Sequence, residues 1–240
     1  MTHSSPSLRV KIFADGAEKT GMVEMAKNPL ISGFTTNPTL MKKAGISDYR
    51  LFATDVLAEI PDKPISFEVF SDDFDEMQRQ ALEIASWGQN VYVKIPVTDT
   101  KGRPATELIA RLAGKGVKLN VTAMMTVAQV KAVVPALANG PAAYVSVFAG
   151  RIADSGCDPV PIMKEALEAM RPHPALELIW ASPREVLNIV QADEIGCHII
   201  TVTNDLIKKI SLIGKDHTEF SLETVRMFYN DAVSAGYTLG

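Results

Sequence analysis

The sequence is poor in the residues that build disulfide frameworks and metal sites. Its 240 residues contain two cysteines, Cys157 and Cys197, and four scattered histidines, which are His3, His173, His198 and His217. Neither a paired cysteine spacing nor an HxH or HExxH pattern occurs. Disulfide scaffolds and zinc sites depend on such spacings. We therefore expect reduced cysteines, no metal and no cofactor.

The sequence also lacks a basic excess and long apolar stretches. The net charge is -4 and the pI is near 5.6, which gives no general attraction for nucleic acid or anionic membrane but leaves room for a local anion site. No apolar run reaches the roughly 20 residues that span a bilayer. The N-terminal "MTHSSPSLRV" has no apolar core of a signal peptide. These absences predict a cytoplasmic protein without nucleic-acid or membrane partners.

What the chain does contain is a regular alternation of strand-like and helix-like stretches. Gly116 and Gly196 suit the ends of two helices, and Ser71 or Asp72 is the expected cap of the helix around 74–85. Eight strand-like runs in about 250 residues predict an α/β protein with a (β/α)₈ TIM barrel, as one catalytic domain over residues 1–240. A Rossmann-like sheet is the alternative, but no GxGxxG follows any predicted strand. The predicted strands are 8–14, 31–35, 65–70, 91–95, 118–123, 142–148, 176–181 and 198–202.

The alternation of side chains along each strand then predicts which residues face the barrel interior. In "VYVKI", Val91, Val93 and Ile95 form the apolar set that faces the helices, which leaves Tyr92 and Lys94 inside. The same rule turns Ala123, Ile179 and Ala181 outward. It turns inward Ser66, Glu68, Phe70, Asn120, Thr122, Tyr144, Ser146, Phe148, Trp180 and Ser182, while Asp15 ends the first strand and Asn37 follows the second.

An enclosed Lys94 with two nearby carboxylates predicts covalent chemistry. An ammonium group loses hydration in a barrel mouth, so the neutral amine, which attacks ketones to form a Schiff base, is easier to reach. Asp15 and Glu68 are candidates for the proton transfers that follow. A purely structural ion pair among these three residues is the alternative.

Two arginines follow late strands and predict an anion site. Arg151 lies in "FAGRIADSG" and Arg184 in "ASPREV", beside Ser182. Guanidinium groups match phosphate oxygens in bidentate geometry, and TIM barrels often bind phosphate after strands seven and eight. Alternatively, each arginine is an ordinary surface residue of a loop.

The motifs taken together resemble the transaldolases, in particular the short branch that includes fructose-6-phosphate aldolases. They run in order through "KIFADGAE", "GFTTNPTLMKKAG", "SFEVF", "VYVKIPVT", "LNVTAMMTVAQ", "YVSVFAGRIADSG", "WASPREV" and "GCHIITVTNDLIKKI". The resemblance implies a metal-free (β/α)₈ barrel with phosphorylated sugars as substrates.

The resemblance also implies roles for individual residues. Lys94 would form the Schiff base, Asp15 would act as acid/base, and Glu68 and Thr122 would hold a catalytic water. The remaining implied residues are Asn37, Asn120, Ser146 and Phe148 for the substrate, and Arg151, Ser182 and Arg184 for its phosphate.

Two positions favour transfer over aldol cleavage. The aldolase members carry Gln where Glu68 stands and Tyr where Phe148 stands, so this chain resembles the transaldolases at both. The alternatives are an aldolase-like enzyme, a transaldolase for a sulfonated or unphosphorylated ketose, and a non-catalytic phosphosugar-binding barrel. Gly16 and Pro183 depart from the family pattern, where Thr or Ser and an aromatic residue are usual.

The C-terminal "SLETVRMFYNDAVSAGYTLG" carries an apolar stripe at helical spacing. The stripe consists of Leu222, Val225, Phe228, Tyr229 and Ala232. It packs on its own barrel or, as the resemblance implies, reaches a neighbouring subunit of a homo-oligomer.

Overall fold

The computed structural model describes residues 8–239 as a closed barrel of parallel strands. Each strand pairs with the next in chain order, and β8 pairs with β1 to close the ring. The predicted (β/α)₈ barrel is therefore confirmed. Residues 1–7 and 240, with His3 and most of the N-terminal stretch considered above, lie outside the described residues. The strands are β1 Lys11–Asp15, β2 Ile31–Thr35, β3 Ile65–Glu68, β4 Val91–Pro96, β5 Leu119–Met124, β6 Ala143–Val147, β7 Leu176–Trp180 and β8 Ile199–Thr203.

Helices follow the strands and surround the barrel. They are α1 Lys19–Ala26, α2 Pro38–Lys43, α3 Tyr49–Glu59, α4 Phe74–Ala85, α5 Thr106–Gly114, α6 Val127–Leu137, α7 Ala149–Asp154, α8 Pro159–Met170, α9 Leu187–Glu194, α10 Asn204–Lys209 and α11 His217–Ser234, with a 3₁₀ turn at Ile210–Leu212. Gly116 and Gly196 have φ angles of 80° and 75° just after α5 and α9, as the expected helix ends require. The cap of α4 is Asp73 rather than Ser71 or Asp72, because the Asp73 carboxylate accepts from the amides of Asp75 and Glu76.

The apolar core has an outer and an inner layer. The outer layer, between strands and helices, includes Val91, Val93 and Ile95 as predicted. The inner layer fills the barrel and contains Tyr92 and Tyr144, whose rings stack with centroids 4.0 Å apart. This inner plug of aromatic and aliphatic side chains leaves polar residues at the carboxyl ends of the strands as the lining of the barrel mouth.

The predicted orientation was wrong on β7. Trp180 belongs to the outer layer, whereas Ile179 and Ala181 belong to the inner one. The segment "LIWA" is apolar at both parities, but Glu177 at the start of the same strand shares the parity of Ile179 and Ala181 and marks that set as the inner one.

The orientation was also wrong where strands lose their regular geometry. Phe70 lies beyond the end of β3, is 64% exposed and packs edge-on against Tyr49. Ala123 has a φ of 65° at an irregularity in the pairing of β5 with β6, and it lines the barrel mouth instead of facing the helices. A strict two-residue alternation holds only while the backbone stays extended.

The C-terminal helix α11 has no buried residue. Val225, Phe228 and Tyr229 are 60–70% exposed, so of the two alternatives left open by the sequence, packing of the apolar stripe on its own barrel is not the one found. None of the helices in residues 8–239 is long and apolar enough to cross a membrane.

Candidate active site

A cavity of about 440 Å³ opens at the carboxyl ends of the strands. Its lining includes every residue that the sequence singled out for the site except Arg184. These are Asp15, Asn37, Glu68, Lys94, Asn120, Thr122, Ser146, Phe148, Arg151 and Ser182. They come from seven segments of the chain, and the closed barrel brings them together.

Lys94 lies in the wall of this cavity and is held by two acceptors. It stands opposite Glu68 in the pairing of β4 with β3. Its Nζ lies 3.0 Å from Oε2 of Glu68 and donates to the backbone carbonyl of Thr36 at 2.8 Å. Lys94 is only 6% exposed, so these two oxygens replace the water that the ammonium loses on burial. The same contact gives the amine a carboxylate that can accept its proton.

Asp15, at the end of β1, is held by a chain of hydroxyl groups. Thr35 donates to its Oδ1 at 2.8 Å, and the hydroxyls of Thr35 and Thr201 lie 2.5 Å apart. Burial raises the pKa of Asp15 above its ordinary value, although the charge of Lys94 and the Thr35 hydrogen bond oppose this shift. A carboxyl group with a raised pKa exchanges its proton more readily near neutral pH.

Thr35 and Thr201 were missed in the sequence. Each is a polar residue in a largely apolar strand, in "ISGFT" and "IITVT". That pattern marked Lys94 and Asn120, so the same signal would have found them.

Asn120 is fixed in the cavity wall by two serines. Its amide nitrogen donates to Ser66 at 3.0 Å, and its amide oxygen accepts from Ser146 at 2.7 Å. The nearby hydroxyl of Thr122 is buried and has no hydrogen-bond partner among residues 8–239. A buried hydroxyl without a partner is costly, so Thr122 is suited to bind a water or a substrate atom in the cavity.

Another part of the cavity lining comes from α7, the residue before it and the loop after β7. The Arg151 guanidinium lies 5.3 Å from the ring centre of Phe148, and both residues line the cavity. Ser182 has a φ of 60°, a conformation that costs energy for a residue other than glycine. A Cβ on Gly150 would lie 1.5 Å from the carbonyl oxygen of Ser182, so only glycine allows this approach of α7 to the loop.

Arg184 does not line the cavity. Its Nε donates to Asp154 at 3.0 Å, and a second nitrogen of the guanidinium bonds the other carboxylate oxygen. Both side chains are about half exposed. The predicted phosphate residues are thus divided into Arg151 and Ser182, which face the cavity, and Arg184, which is paired outside it.

The family model described as Transaldolase/Fructose-6-phosphate aldolase matches residues 12–238. The chain belongs to this family. Relatives named "Probable transaldolase" come from Dehalococcoides mccartyi, at 38% identity over 80% of this chain and 86% of the relative, and from Thermoanaerobacter sp., at 36% over 80% and 85%. A "Probable transaldolase 2" of Listeria monocytogenes is 33% identical over 84% of this chain and 88% of the relative. The chain is thus an enzyme of the aldolase/transaldolase type.

The solved structures include a similar fold in a protein of low sequence identity. The crystal structure of a "putative phosphonomutase" from Burkholderia cenocepacia aligns with a TM-score of 0.58 at 11% identity, over 92% of this chain and 94% of the other. At this identity the likeness concerns the barrel alone. No group of three or more His, Cys, Asp or Glu residues within 8–239 is arranged to hold a metal ion.

This transaldolase/fructose-6-phosphate aldolase family member orients Asp15 without a hydroxyl at position 16. The space around the Cα of Gly16 is open, and the Gly16 amide donates to the carbonyl of Thr35 at 3.1 Å. The hydroxyl that contacts the Asp15 carboxylate is that of Thr35. Gly16 therefore leaves Asp15 with an orienting hydrogen bond.

Proposed function

We propose that this enzyme is a transaldolase of the pentose phosphate pathway. It transfers a dihydroxyacetone unit from a ketose phosphate, sedoheptulose 7-phosphate or fructose 6-phosphate, to an aldose phosphate through a Schiff base on Lys94. The observation that carries the proposal is the buried Lys94 amine 3.0 Å from the Glu68 carboxylate, in the wall of a polar cavity.

Imine formation begins with a proton transfer. Glu68 accepts a proton from the Lys94 ammonium, and the neutral amine attacks the ketone carbon of the donor. The carbinolamine then loses water, which requires protonation of its hydroxyl. A water held between Glu68 and the unpaired hydroxyl of Thr122 serves as the proton carrier.

Carbon–carbon cleavage uses the iminium as an electron sink. Asp15 takes the proton from the hydroxyl beside the bond that breaks, the aldehyde leaves, and the bonding electrons pass into the Lys94 enamine. The raised pKa of Asp15 suits a group that must accept this proton and later return it to the new hydroxyl when the acceptor aldehyde adds. Asn37, Asn120 and Ser146 supply polar groups for the substrate hydroxyls.

Phe148 favours transfer over release. Its phenyl ring lines the cavity and has no hydroxyl through which a water could protonate the enamine. The enamine therefore persists until an aldose phosphate arrives. Arg151 and Ser182 lie on the same side of the cavity and are the proposed phosphate ligands.

Borohydride trapping tests the lysine chemistry. Fructose 6-phosphate and borohydride should give a reduced adduct on Lys94 by mass spectrometry, and Lys94→Ala should give none. Lys118→Ala is the matched control, because Lys118 sits at the amino end of the barrel beside Tyr92 and outside the cavity lining. Absence of an adduct with every ketose would refute the proposed Schiff-base chemistry and favour a barrel that only binds sugars.

A second assay separates transfer from cleavage. Dihydroxyacetone release from fructose 6-phosphate is compared with and without erythrose 4-phosphate. We expect slow release without the acceptor and fast transfer with it. Fast release without acceptor would favour the fructose-6-phosphate-aldolase alternative, and Phe148→Tyr should shift the enzyme in that direction. Sulfonated and unphosphorylated ketoses, tested in parallel, check the sugar class.

We also propose that α11 docks on a second copy of the chain. Within residues 8–239 no residue of this helix is buried and its apolar stripe is largely exposed, and such surfaces mark association sites. Sedimentation velocity should give a homo-oligomer that Phe228→Asp with Tyr229→Asp dissociates. Asn230→Asp, an exposed polar position of the same helix, is the control. A monomeric parent protein would contradict this.

A further inference from the structure

Tyr49, the first residue of α3, bonds both backbone groups of Glu68. The Glu68 amide donates to the Tyr49 hydroxyl at 2.8 Å, and the hydroxyl donates to the Glu68 carbonyl at 3.0 Å. Burial raises the pKa of Tyr49, so the hydroxyl keeps its proton and remains a donor. The ring packs edge-on against Phe67 and Trp87, with centroids 6.2 and 5.6 Å away.

The two hydrogen bonds between Tyr49 and Glu68 replace backbone bonds that a longer pairing of β2 with β3 would supply. The ladder between β2 and β3 ends where the Thr36 amide donates to the Ser66 carbonyl. Two residues further along a parallel ladder, the Glu68 amide would donate to the Thr36 carbonyl, and the Glu68 carbonyl would accept from residue 38. Residue 38 is Pro38, the first residue of α2, which has no N–H to donate.

The Thr36 carbonyl is also engaged elsewhere, because it accepts from Lys94 Nζ at 2.8 Å. Because β2 separates from β3 at this point, the Thr36 carbonyl is free to accept from Lys94. The amide and the carbonyl of Glu68 are left without partners in β2. The Tyr49 hydroxyl is the group that satisfies both.

We propose that Tyr49 is a positioning residue for Glu68, which fixes the end of β3 so that the Glu68 carboxylate stays within proton-transfer distance of Lys94. This inference rests on the proposed Schiff-base chemistry. The Tyr49 hydroxyl acts through the Glu68 backbone and has no place in the cavity lining. Its loss should therefore slow imine formation and leave substrate affinity nearly unchanged.

The test is the rate of borohydride-trapped adduct formation on Lys94 with fructose 6-phosphate, at several sugar concentrations. Tyr49→Phe keeps the ring and removes the hydroxyl, and we expect trapping to slow about tenfold at saturating sugar, with little change in the half-saturating concentration. In a Glu68→Ala background, Tyr49→Phe should change the rate by less than about twofold, because there is no carboxylate left to position.

Trp87→Phe is the matched control for packing. Trp87 contacts the Tyr49 ring but makes no hydrogen bond to Glu68, so this variant alters the packing around the ring and should trap at the parent rate. Equal slowing by Tyr49→Phe in both backgrounds, or slowing by Trp87→Phe as large as that by Tyr49→Phe, would overturn the positioning role.

Hydrogen exchange on the unmodified enzyme keeps the inference testable if Tyr49→Phe does not fold. The Glu68 amide should exchange as slowly as that of Ile65, which bonds the Asn90 carbonyl within the sheet. Exchange at an unprotected rate would overturn the proposal. If the parent enzyme forms no adduct at all while its Glu68 amide is protected, it is the proposed function that fails.

Discussion

Gly150 lies where α7 comes closest to the loop after β7, and its replacement by alanine tests the geometry of the phosphate side. The added Cβ would lie 1.5 Å from the Ser182 carbonyl oxygen, against at least 3.4 Å for an ordinary contact. The backbone must therefore move by about 2 Å, since the two atoms closest to the added Cβ, at 1.5 and 2.6 Å, belong to the Ser182 backbone. The two segments that move carry Arg151 and Ser182.

The magnitude follows from the size of this clash. Overpacking of this kind costs about 1–3 kcal/mol or more, and for a domain of this size each kcal/mol lowers the melting temperature by about 2–4 °C. We expect Gly150→Ala to melt roughly 5–10 °C earlier. Displacement of a substrate-positioning group by about 1 Å can lower a rate by 100-fold. Because the displaced segments carry the proposed phosphate ligands, the rate of adduct formation should fall more with fructose 6-phosphate than with unphosphorylated dihydroxyacetone.

The control is Gly114→Ala, at the end of α5. A Cβ there meets nothing within 4 Å, and the backbone is not in the left-handed region. This change should be neutral or stabilise by about 0.5–1 kcal/mol. The assays are thermal unfolding by circular dichroism and the dependence of adduct formation on sugar concentration. A Gly150→Ala enzyme with the parent's melting temperature and sugar dependence would refute the described contact.

Three further predictions concern the charged groups. Asp15→Asn should abolish activity yet raise the free energy of unfolding at pH 7. Because the pKa of Asp15 is raised in the folded protein, its ionised form lowers the free energy of unfolding. This loss is absent below the ordinary pKa of 3.8 and grows as pH rises to the folded pKa. Urea unfolding at pH 7 and pH 3 checks that the stability gained by Asp15→Asn disappears in acid. Lys94→Met should lower the free energy of unfolding by about 3 kcal/mol, because it leaves the Glu68 carboxylate partly buried and unpaired. Adding Glu68→Gln should recover most of this loss. A double variant no more stable than Lys94→Met alone would contradict the pairing. Asp154→Ala should scarcely change the melting temperature, since the pair with Arg184 is exposed. It should lower the KM for a phosphorylated ketose, because the Arg184 guanidinium is released from Asp154 and can reach the substrate phosphate. An unchanged KM would contradict a role of Arg184 in the phosphate site.

The sequence was most informative where polar residues interrupt apolar strands. Lys94 and Glu68 stand out in "VYVKI" and "ISFEV", and pairing of β3 with β4 does set them opposite each other. Trp180 was placed wrongly because only the apolar end of its strand was considered, whereas Glu177 earlier in β7 carries the polar signal for the opposite parity. Ser182 reaches the cavity through a left-handed backbone turn, which the alternation rule does not describe.

The pairing of Arg184 with Asp154 and the bonds from Tyr49 to Glu68 were not predicted from the sequence. Both join segments that are 19 or more residues apart. Nothing in the local pattern distinguishes an arginine that faces a cavity from one that turns to a neighbouring carboxylate. Likewise, helical spacing in the sequence does not distinguish an apolar stripe that packs on its own barrel from one that contacts a second subunit.

The sequence by itself determined the barrel, the family and most of the residues at its mouth. Strand periodicity and ordered motifs are local properties that a chain carries before it folds. The tertiary structure alone decided which acceptors hold Lys94, that Arg184 pairs with Asp154, and that Tyr49 substitutes for the lost ladder between β2 and β3. These outcomes depend on where separate segments meet when the barrel closes, and the hydrogen bonds and contacts made there exist only in the folded chain.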